Sequence, residues 1–311
     1  MPDLTSGKTT EKAAEKAAEK TAAKAAEKAV LNAGAPRQPE GVPFGPLVDI
    51  GVNLTAAAFD ADRAAILERA VASGVLQQLV TGTDLEHSRS AIALARRYPQ
   101  HLFATAGVHP YGAAAVDGDW QSALRDLLRA PEVRAVGETG LDFNRDYSPR
   151  ADQERVFEAQ LALAAETDLP LFLHERDTHG RLFELLAPWR GRVRGVLHCF
   201  TGDRDDLHRA LDAGLHIGIT GWICDERRGA TLQALVADVP GDRLLIETDA
   251  PYLLPRTIRP RPRSRRNEPA LLPWVLSRVA ACRGEAPEAV ARATTMNARR
   301  LFGLPDPATT T

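Results

Sequence analysis

Lysine is missing from almost the entire chain. All six lysines, Lys8, Lys12, Lys16, Lys20, Lys24 and Lys28, fall within the first 28 of 311 residues, and beyond residue 40 every strongly basic side chain is an arginine. Codon bias in a GC-rich genome accounts for the imbalance without invoking function. Cysteine is scarce as well. Cys199, Cys224 and Cys282 have neither paired nor metal-type spacing, which excludes a disulfide framework and fits a reducing, cytoplasmic setting. No run of 18 apolar residues occurs, so the sequence offers no transmembrane helix and no membrane partner is expected. The N-terminus lacks an apolar signal core, and its glutamates oppose a transit peptide. A formal charge of −2 says little as a total.

What is present divides into three stretches. Residues 8–30 repeat a Glu-Lys-Ala-Ala tetrad with lysine at every fourth position. Such a composition forms helix readily but has no large apolar face to bury, so a solvated or frayed helix is expected, with tethering to anionic partners as the alternative role. A Gly/Pro-containing linker, Gly34–Pro46, follows, giving a leader over 1–46, a folded domain over 47–304 and a short tail over 305–311. Within the domain, short β-prone runs alternate with amphipathic stretches of helical length. The expected strands are Leu47–Asn53, Leu76–Thr81, Phe103–Val108, Arg134–Gly137, Leu171–His174, Gly195–Cys199, His216–Thr220 and Leu244–Thr248. Asp60–Ala72, Leu85–Tyr98, Arg150–Glu166 and Asp203–Ala213 read as helices between them. Most strands are rich in Val, Ile and Leu without clean alternation, as when both faces are covered. Eight such units predict an α/β fold of the TIM type, a (β/α)8 barrel with C-terminal helices. A doubly wound open sheet is the alternative, but no glycine-rich phosphate fingerprint follows the first strand.

Polar residues collect just after the apolar runs: His109, Glu138, His174, His198 and Asp249 each follow or end a different strand. In a barrel these ends converge on one face, where active sites of the fold lie. One histidine at a strand end is ordinarily a structural hydrogen-bonder; four metal-competent side chains at four strand ends form a set. Glu138, His174, His198 and Asp249 offer two imidazoles and two carboxylates, which suits a divalent cation, with Mg²⁺ favoured and Mn²⁺ or Zn²⁺ admitted. Such a cation polarises a phosphoryl oxygen and lowers the pKa of bound water to about 7. The stretch after Asp249 carries Arg256, Arg259, Arg261, Arg263, Arg265 and Arg266. Guanidinium forks match phosphate oxygens, so this loop is expected to lie beside the cation and hold a polyanion without reading its bases.

Long segments of the chain resemble the TatD family of metal-dependent hydrolases within the amidohydrolase superfamily. They are Asp49-Ile-Gly-Val-Asn-Leu-Thr55, Thr105-Ala-Gly-Val-His-Pro110, Gly137-Glu-Thr-Gly-Leu-Asp142, Leu197-His-Cys-Phe-Thr-Gly202, Thr220–Gly229, Glu247-Thr-Asp-Ala-Pro-Tyr252 and Arg266-Asn-Glu-Pro269, in family order. The resemblance spans Asp49 to Leu304 and implies that Glu138, His174, His198 and Asp249 are metal ligands. It further implies that His109 binds the scissile phosphate and that Arg266, Asn267 and Glu268 form part of the substrate wall. The implied activity is Mg²⁺-dependent hydrolysis of single-stranded DNA or RNA from the 3′ end. Many relatives carry a His-x-His pair on the first strand; here Gly51 and Asn53 stand in those positions, which bears on the number of metals held. Several amidohydrolase branches bridge two metals with a carbamylated lysine. No lysine follows Lys28, so Glu138 takes that role, against a phosphotriesterase-like or dihydroorotase-like reading.

The leading expectation is therefore a metal-dependent 3′–5′ exonuclease, acting as a monomer on single-stranded nucleic acid. Asp249, His109 and Glu138 are its catalytic groups, and Asp249 accepts a proton. Ester hydrolysis on charged tRNA uses the same chemistry and is an alternative, as is a non-catalytic nucleic-acid-binding barrel. Glu247 shares a strand face with Asp249 and is expected to support it or to pair with an arginine. Asp142 and Asp177 are candidates to orient histidines. Trp222 and Tyr252 could stack on bases or pack in the core.

Overall fold

The computed structural model describes residues 44–306. The expected leader helix over 8–30 lies outside the described residues, as do nearly all of the linker and most of the tail. The described chain belongs to two units: the barrel, running to Thr257 and resuming at Arg265, and the segment Ile258–Ser264, described by itself.

Eight strands form the barrel unit: β1 (Leu47–Val52), β2 (Val75–Val80), β3 (Leu102–Ala106), β4 (Val133–Asp142), β5 (Leu171–Arg176), β6 (Gly195–Leu197), β7 (His216–Ile219) and β8 (Leu244–Ile246). They pair in sequence order, every pair parallel. Val52 bridges Ala250 beyond β8, so the first and last strands meet. The helices are α1 (Arg63–Ala72), α2 (Leu85–Arg97), α3 (Trp120–Leu128), α4 (Arg150–Thr167), α5 (Arg181–Leu186), α6 (Arg204–Asp212), α7 (Ala230–Leu235), α8 (Leu272–Arg283) and α9 (Pro287–Phe302). Among the described residues no helix is long and apolar enough to cross a membrane.

The strands lack a polar face because both faces are covered. Val48, Ile50, Leu79, Phe103, Ala135, Phe172, Val196 and Leu245 form an inward-facing cluster. Residues such as Leu47, Val52, Val75, Val80 and Leu102 belong to the larger cluster that includes helical side chains. Ala298, Leu301 and Phe302 of α9 join the inward set. Asn297 Nδ2 donates to the Leu244 carbonyl at 2.9 Å, and Arg299 Nε to Gln77 Oε1 at 3.3 Å. The final helix thus closes the end where the strands begin, leaving their C-terminal ends to carry the polar residues.

All eight strands occur where expected, with ends that differ by one or two residues in seven of them and by five at the end of β4; two of these ends have a clear physical reason. β4 does not stop at Gly137 but continues to Asp142, pairing Gly140 with His174 and Asp142 with Arg176. Its glycines, which read as a break, instead allow close approach of β5. Gly137 and Gly140 adopt φ of +146° and +141°, and a Cβ on them would lie 2.3 Å from the Phe172 carbonyl and 2.0 Å from the His174 carbonyl. Only glycine fits there. β6 ends earlier than expected, at Leu197: Cys199 takes φ of +47° and leaves the ladder.

Two buried glutamines on α4 tie strand ends together. Gln160 accepts from the Val108 N–H at 2.8 Å and donates to the Val108 carbonyl at 3.0 Å. Gln153 does the same for Asp142 at 2.9 and 3.2 Å. Seven residues apart, hence two helical turns, they share a face. Each amide replaces the ladder partner that a departing strand has lost.

Asp49 fastens the seam between β1 and the segment after β8. Fully buried, it accepts from the Thr248 N–H at 2.9 Å, the Thr248 hydroxyl at 2.5 Å and the Gly51 N–H at 3.3 Å. Burial pushes its carboxyl from the ordinary 3.8 up to about 8, outweighing those bonds. The folded state therefore keeps a proton that the unfolded chain loses, and the associated stability, complete below pH 3.8, is lost as pH rises through about 8. Urea unfolding at several pH values should show wild type losing stability relative to Asp49→Asn between about pH 4 and pH 8. Parallel pH curves for the two proteins would contradict the assignment.

Candidate metal centre

The site grows from strand ends. His109 follows β3, Glu138 and His174 lie within β4 and β5, His198 follows β6 directly, and Asp249 follows β8. All five line one cavity of about 640 Å³. Glu138 sits where the β4 register shifts, between Val136 and Thr139, and its N–H is fixed on the Gly82 carbonyl at 2.7 Å. Three imidazole nitrogens meet its Oε1: His174 Nδ1 at 2.9 Å, His198 Nε2 at 3.0 Å and His109 Nε2 at 3.3 Å. Ligand-capable atoms of His109, Glu138 and His174 all lie within 4.8 Å of one another. That group includes His109, expected as a phosphate contact, and leaves out His198 and Asp249, two of the four expected ligands. Asp249 faces the same cavity from the seam, where Asn53 Nδ2 donates to its Oδ1 at 3.0 Å.

Outer carboxylates hold two of the rings. His174 Nε2 lies 3.1 Å from Asp142 Oδ2, and His198 Nδ1 3.3 Å from Glu247 Oε2. Such partners set ring orientation and raise ligand basicity, the pattern found behind metal-binding histidines. Glu247 also accepts from the Cys199 N–H at 2.6 Å; its partners are a histidine and a backbone amide rather than the arginine that sequence admitted. Asp177 instead accepts from Asn144 Nδ2 at 2.6 Å.

The donor set calls for positive charge at its centre. Burial alone would raise the Glu138 carboxyl, yet His109 and His198 outweigh it and hold it well below its usual range. Burial works against charge on His198 and His174 too. Glu247 and Glu138 nevertheless hold His198 well above the ordinary imidazole value, and bonds to Asp142 and Glu138 raise His174. Burial lowers His109. Asp249 is pushed up to about 7, chiefly by burial, with the Glu138 and Glu247 charges adding and His198 opposing. A divalent cation would satisfy the same carboxylates that protons on His174 and His198 satisfy, so its binding would displace protons. The residues present fit such a group.

Three of the six arginines expected to hold phosphate belong to the barrel, Arg256, Arg265 and Arg266, and none of these three lines the cavity. Arg256 pairs with Asp225 at 3.2 Å. Arg266 pairs with Asp62 at 2.7 Å and sits over the Phe59 ring, while Arg69 grips Glu268 at 2.5 and 2.9 Å. Asn267 is fully buried, its amide donating to the Thr248 carbonyl at 2.9 Å. This loop is fastened to α1 and the seam, because acidic and carbonyl partners there claim its polar groups. Arg259, Arg261 and Arg263 belong to the separate segment Ile258–Ser264. The arginines that do line the cavity are Arg145 and Arg176. The sequence signal for them was position just after β4 and at the end of β5, which isolated single arginines did not make conspicuous.

Gly51 and Asn53 have a structural account. A Cβ at Gly51 would lie 2.3 Å from Glu247 Oε2 and 2.9 Å from Phe172 Cζ. The room a first-strand side chain would need is filled by the carboxylate that holds His198, and Asn53 donates to Asp249. Adding even one carbon is overpacking of a rigid site. Gly51→Ala is expected to lower unfolding free energy by about 1–3 kcal/mol, read by urea denaturation. A wild-type midpoint would contradict this packing.

Comparison with known proteins identifies the family. The profile of the family described as TatD related DNase matches residues 48–303. The 3′-5′ ssDNA/RNA exonuclease TatD of Salmonella typhimurium is 52% identical over 257 residues, covering 82% of this chain and 98% of that protein. Its counterpart from Pectobacterium parmentieri is 51% identical over 259 residues, covering 83% and 100%. Among solved structures, a TatD homologue from Escherichia coli K12 superposes with a TM-score of 0.76 at 31% identity, covering 84% of this chain and 100% of the other. A TatD-family hydrolase from Entamoeba histolytica gives a TM-score of 0.76 at 24% identity, covering 84% of this chain and 99% of that one, a likeness of fold. With its barrel and its profile match both extending over most of the chain, this protein belongs to the TatD-related DNase family.

Proposed function

We propose that the chain is a metal-dependent phosphodiesterase that shortens single-stranded DNA or RNA from the 3′ end. The observation that carries the reading is the meeting of three imidazole nitrogens on one buried carboxylate oxygen, in a cavity that also holds Asp249 and two arginines. The activity named for relatives about half identical in sequence supports the substrate class. Glu138, His174, His198 and Asp249 would hold the cation, with Mg²⁺ proposed first and Mn²⁺ or Zn²⁺ compatible with mixed nitrogen and oxygen donors. When bound, such a cation supplies Lewis acidity toward a phosphoryl oxygen and an acidified water.

The chain's own groups do the rest. Asp249 faces the cavity from the seam and is the carboxylate cast as proton acceptor in this reading. His109, lowered by burial, is the imidazole most readily left neutral beside Glu138, close enough to contact a phosphate oxygen bound there. Arg145 and Arg176 offer planar forks to flanking phosphates and no base-reading preference. All these groups come from one chain, so the reading needs neither a second subunit nor a membrane and suits a cytoplasmic monomer.

The test is digestion of an end-labelled single strand, DNA and RNA side by side, across a series of divalent cations. Stepwise shortening from the 3′ end is expected, abolished by chelation. His198→Ala should fall by at least about 100-fold, since loss of even an outer support costs metalloenzymes about 10- to 100-fold. Equal shortening by that variant would overturn the proposal.

A further inference from the structure

The cavity has an aromatic margin that the cation chemistry does not use. Tyrosine is rare here, four in the chain, yet Tyr111, Tyr147 and Tyr252 are 39%, 64% and 59% exposed. They are three of the five large apolar side chains exposed among the described residues, the others being Val71 and Met296. Tyr111 and Tyr252 line the cavity. Tyr147 stands edge-on to Tyr111 with ring centres 4.7 Å apart, and Tyr111 edge-on to His109 at 4.2 Å. Rings therefore run without a break from a buried histidine of the site to a tyrosine in solvent.

This run is held rigid. The Tyr111 hydroxyl donates to Asp142 Oδ2 at 2.9 Å, the oxygen that also contacts His174 Nε2 at 3.1 Å. Asp142 in turn accepts the N–H groups of Asn144 and Arg145 at 3.0 and 2.8 Å. The ring against which Tyr147 leans cannot turn without breaking this arrangement. Tyr252 is anchored through its backbone, its N–H donating to the Asp249 carbonyl at 3.0 Å. A ring fixed in advance, as Tyr111 is, loses little conformational entropy when a partner arrives. Arg145 and Arg176 line the same cavity, so cationic forks for phosphate accompany planar faces for bases.

We propose that Tyr147 and Tyr252 stack on nucleobases at the 3′ end of the bound strand, with Tyr111 as the fixed ring behind Tyr147. The inference rests on the nuclease reading above and names the groups that grip the bases of its single-stranded substrate, since unpaired ends can present base faces. Every base has such a face, so the subsite discriminates strandedness and not sequence.

The test compares two single strands of equal length, one with normal bases and one with abasic residues at its 3′ end, digested with Mg²⁺ by the full chain. Stacking by an aromatic side chain changes affinity by roughly 5- to 150-fold per base, so wild type should show a KM lower by a factor in that range for the base-bearing strand. Tyr147→Ala and Tyr252→Ala should each move that KM toward the abasic value. Tyr147→Phe and Tyr252→Phe keep the ring and should keep the preference. Equal KM values for both strands in wild type, or full retention of the preference in the alanine variants, would overturn the stacking subsite while leaving the nuclease reading intact. Failure to shorten either strand would overturn the nuclease reading and this inference with it.

Discussion

A carboxylate buried inside a barrel must be met by positive charge, and Glu138 is met from three directions on one oxygen. His174, His198 and His109 approach it from three other strands. The surrounding structure serves that meeting. Glycines at 137 and 140 let β4 run close enough to β5 for Glu138 and His174 to touch. Asp142 and Glu247 hold the far nitrogens of two rings. Gln153 and Gln160 secure the backbone of the β4 end and of the turn that carries His109. An unpaired charge at this depth costs several kcal/mol, so the carboxylate, the rings and their outer partners stand or fall together.

Much of this was legible in the sequence because a barrel imposes a simple grammar. Both faces of each strand are covered, which leaves apolar runs, and the chemistry follows each run, which leaves a polar residue at its end. Runs such as Leu171–His174 and His216–Thr220 announced strands, and Glu138, His174, His198 and Asp249 stood out as candidates sharing one face. Strand ends were harder. The Gly-Glu-Thr-Gly segment reads as a turn to local rules, whereas the close approach of β5 makes it strand; that fact lives in tertiary contact.

Other features resisted sequence reading for reasons of distance. Nothing local says that Asp62 and Arg69 will engage Arg266 and Glu268 nearly two hundred residues away, so the arginine-rich stretch looked like a phosphate grip. Gln153 and Gln160 resemble ordinary helix surface until the strands they clamp are known. The Gly51 position shows the same principle from the opposite side. Its missing side chain read as a lost ligand, but the space is occupied by Glu247, a residue supplied by the other end of the barrel sequence. A departure at the first strand is thus coupled to the support of His198 after the sixth.

If this group of donors takes up a cation, it must give up protons in exchange. Calorimetric titration with Mn²⁺, repeated in buffers of different ionisation enthalpy, measures both at once. Wild type should bind with proton release, and Glu138→Gln, which keeps the shape but removes the charge at the meeting point, should lose binding and release together. Unchanged Mn²⁺ affinity in Glu138→Gln would contradict the central role of that carboxylate.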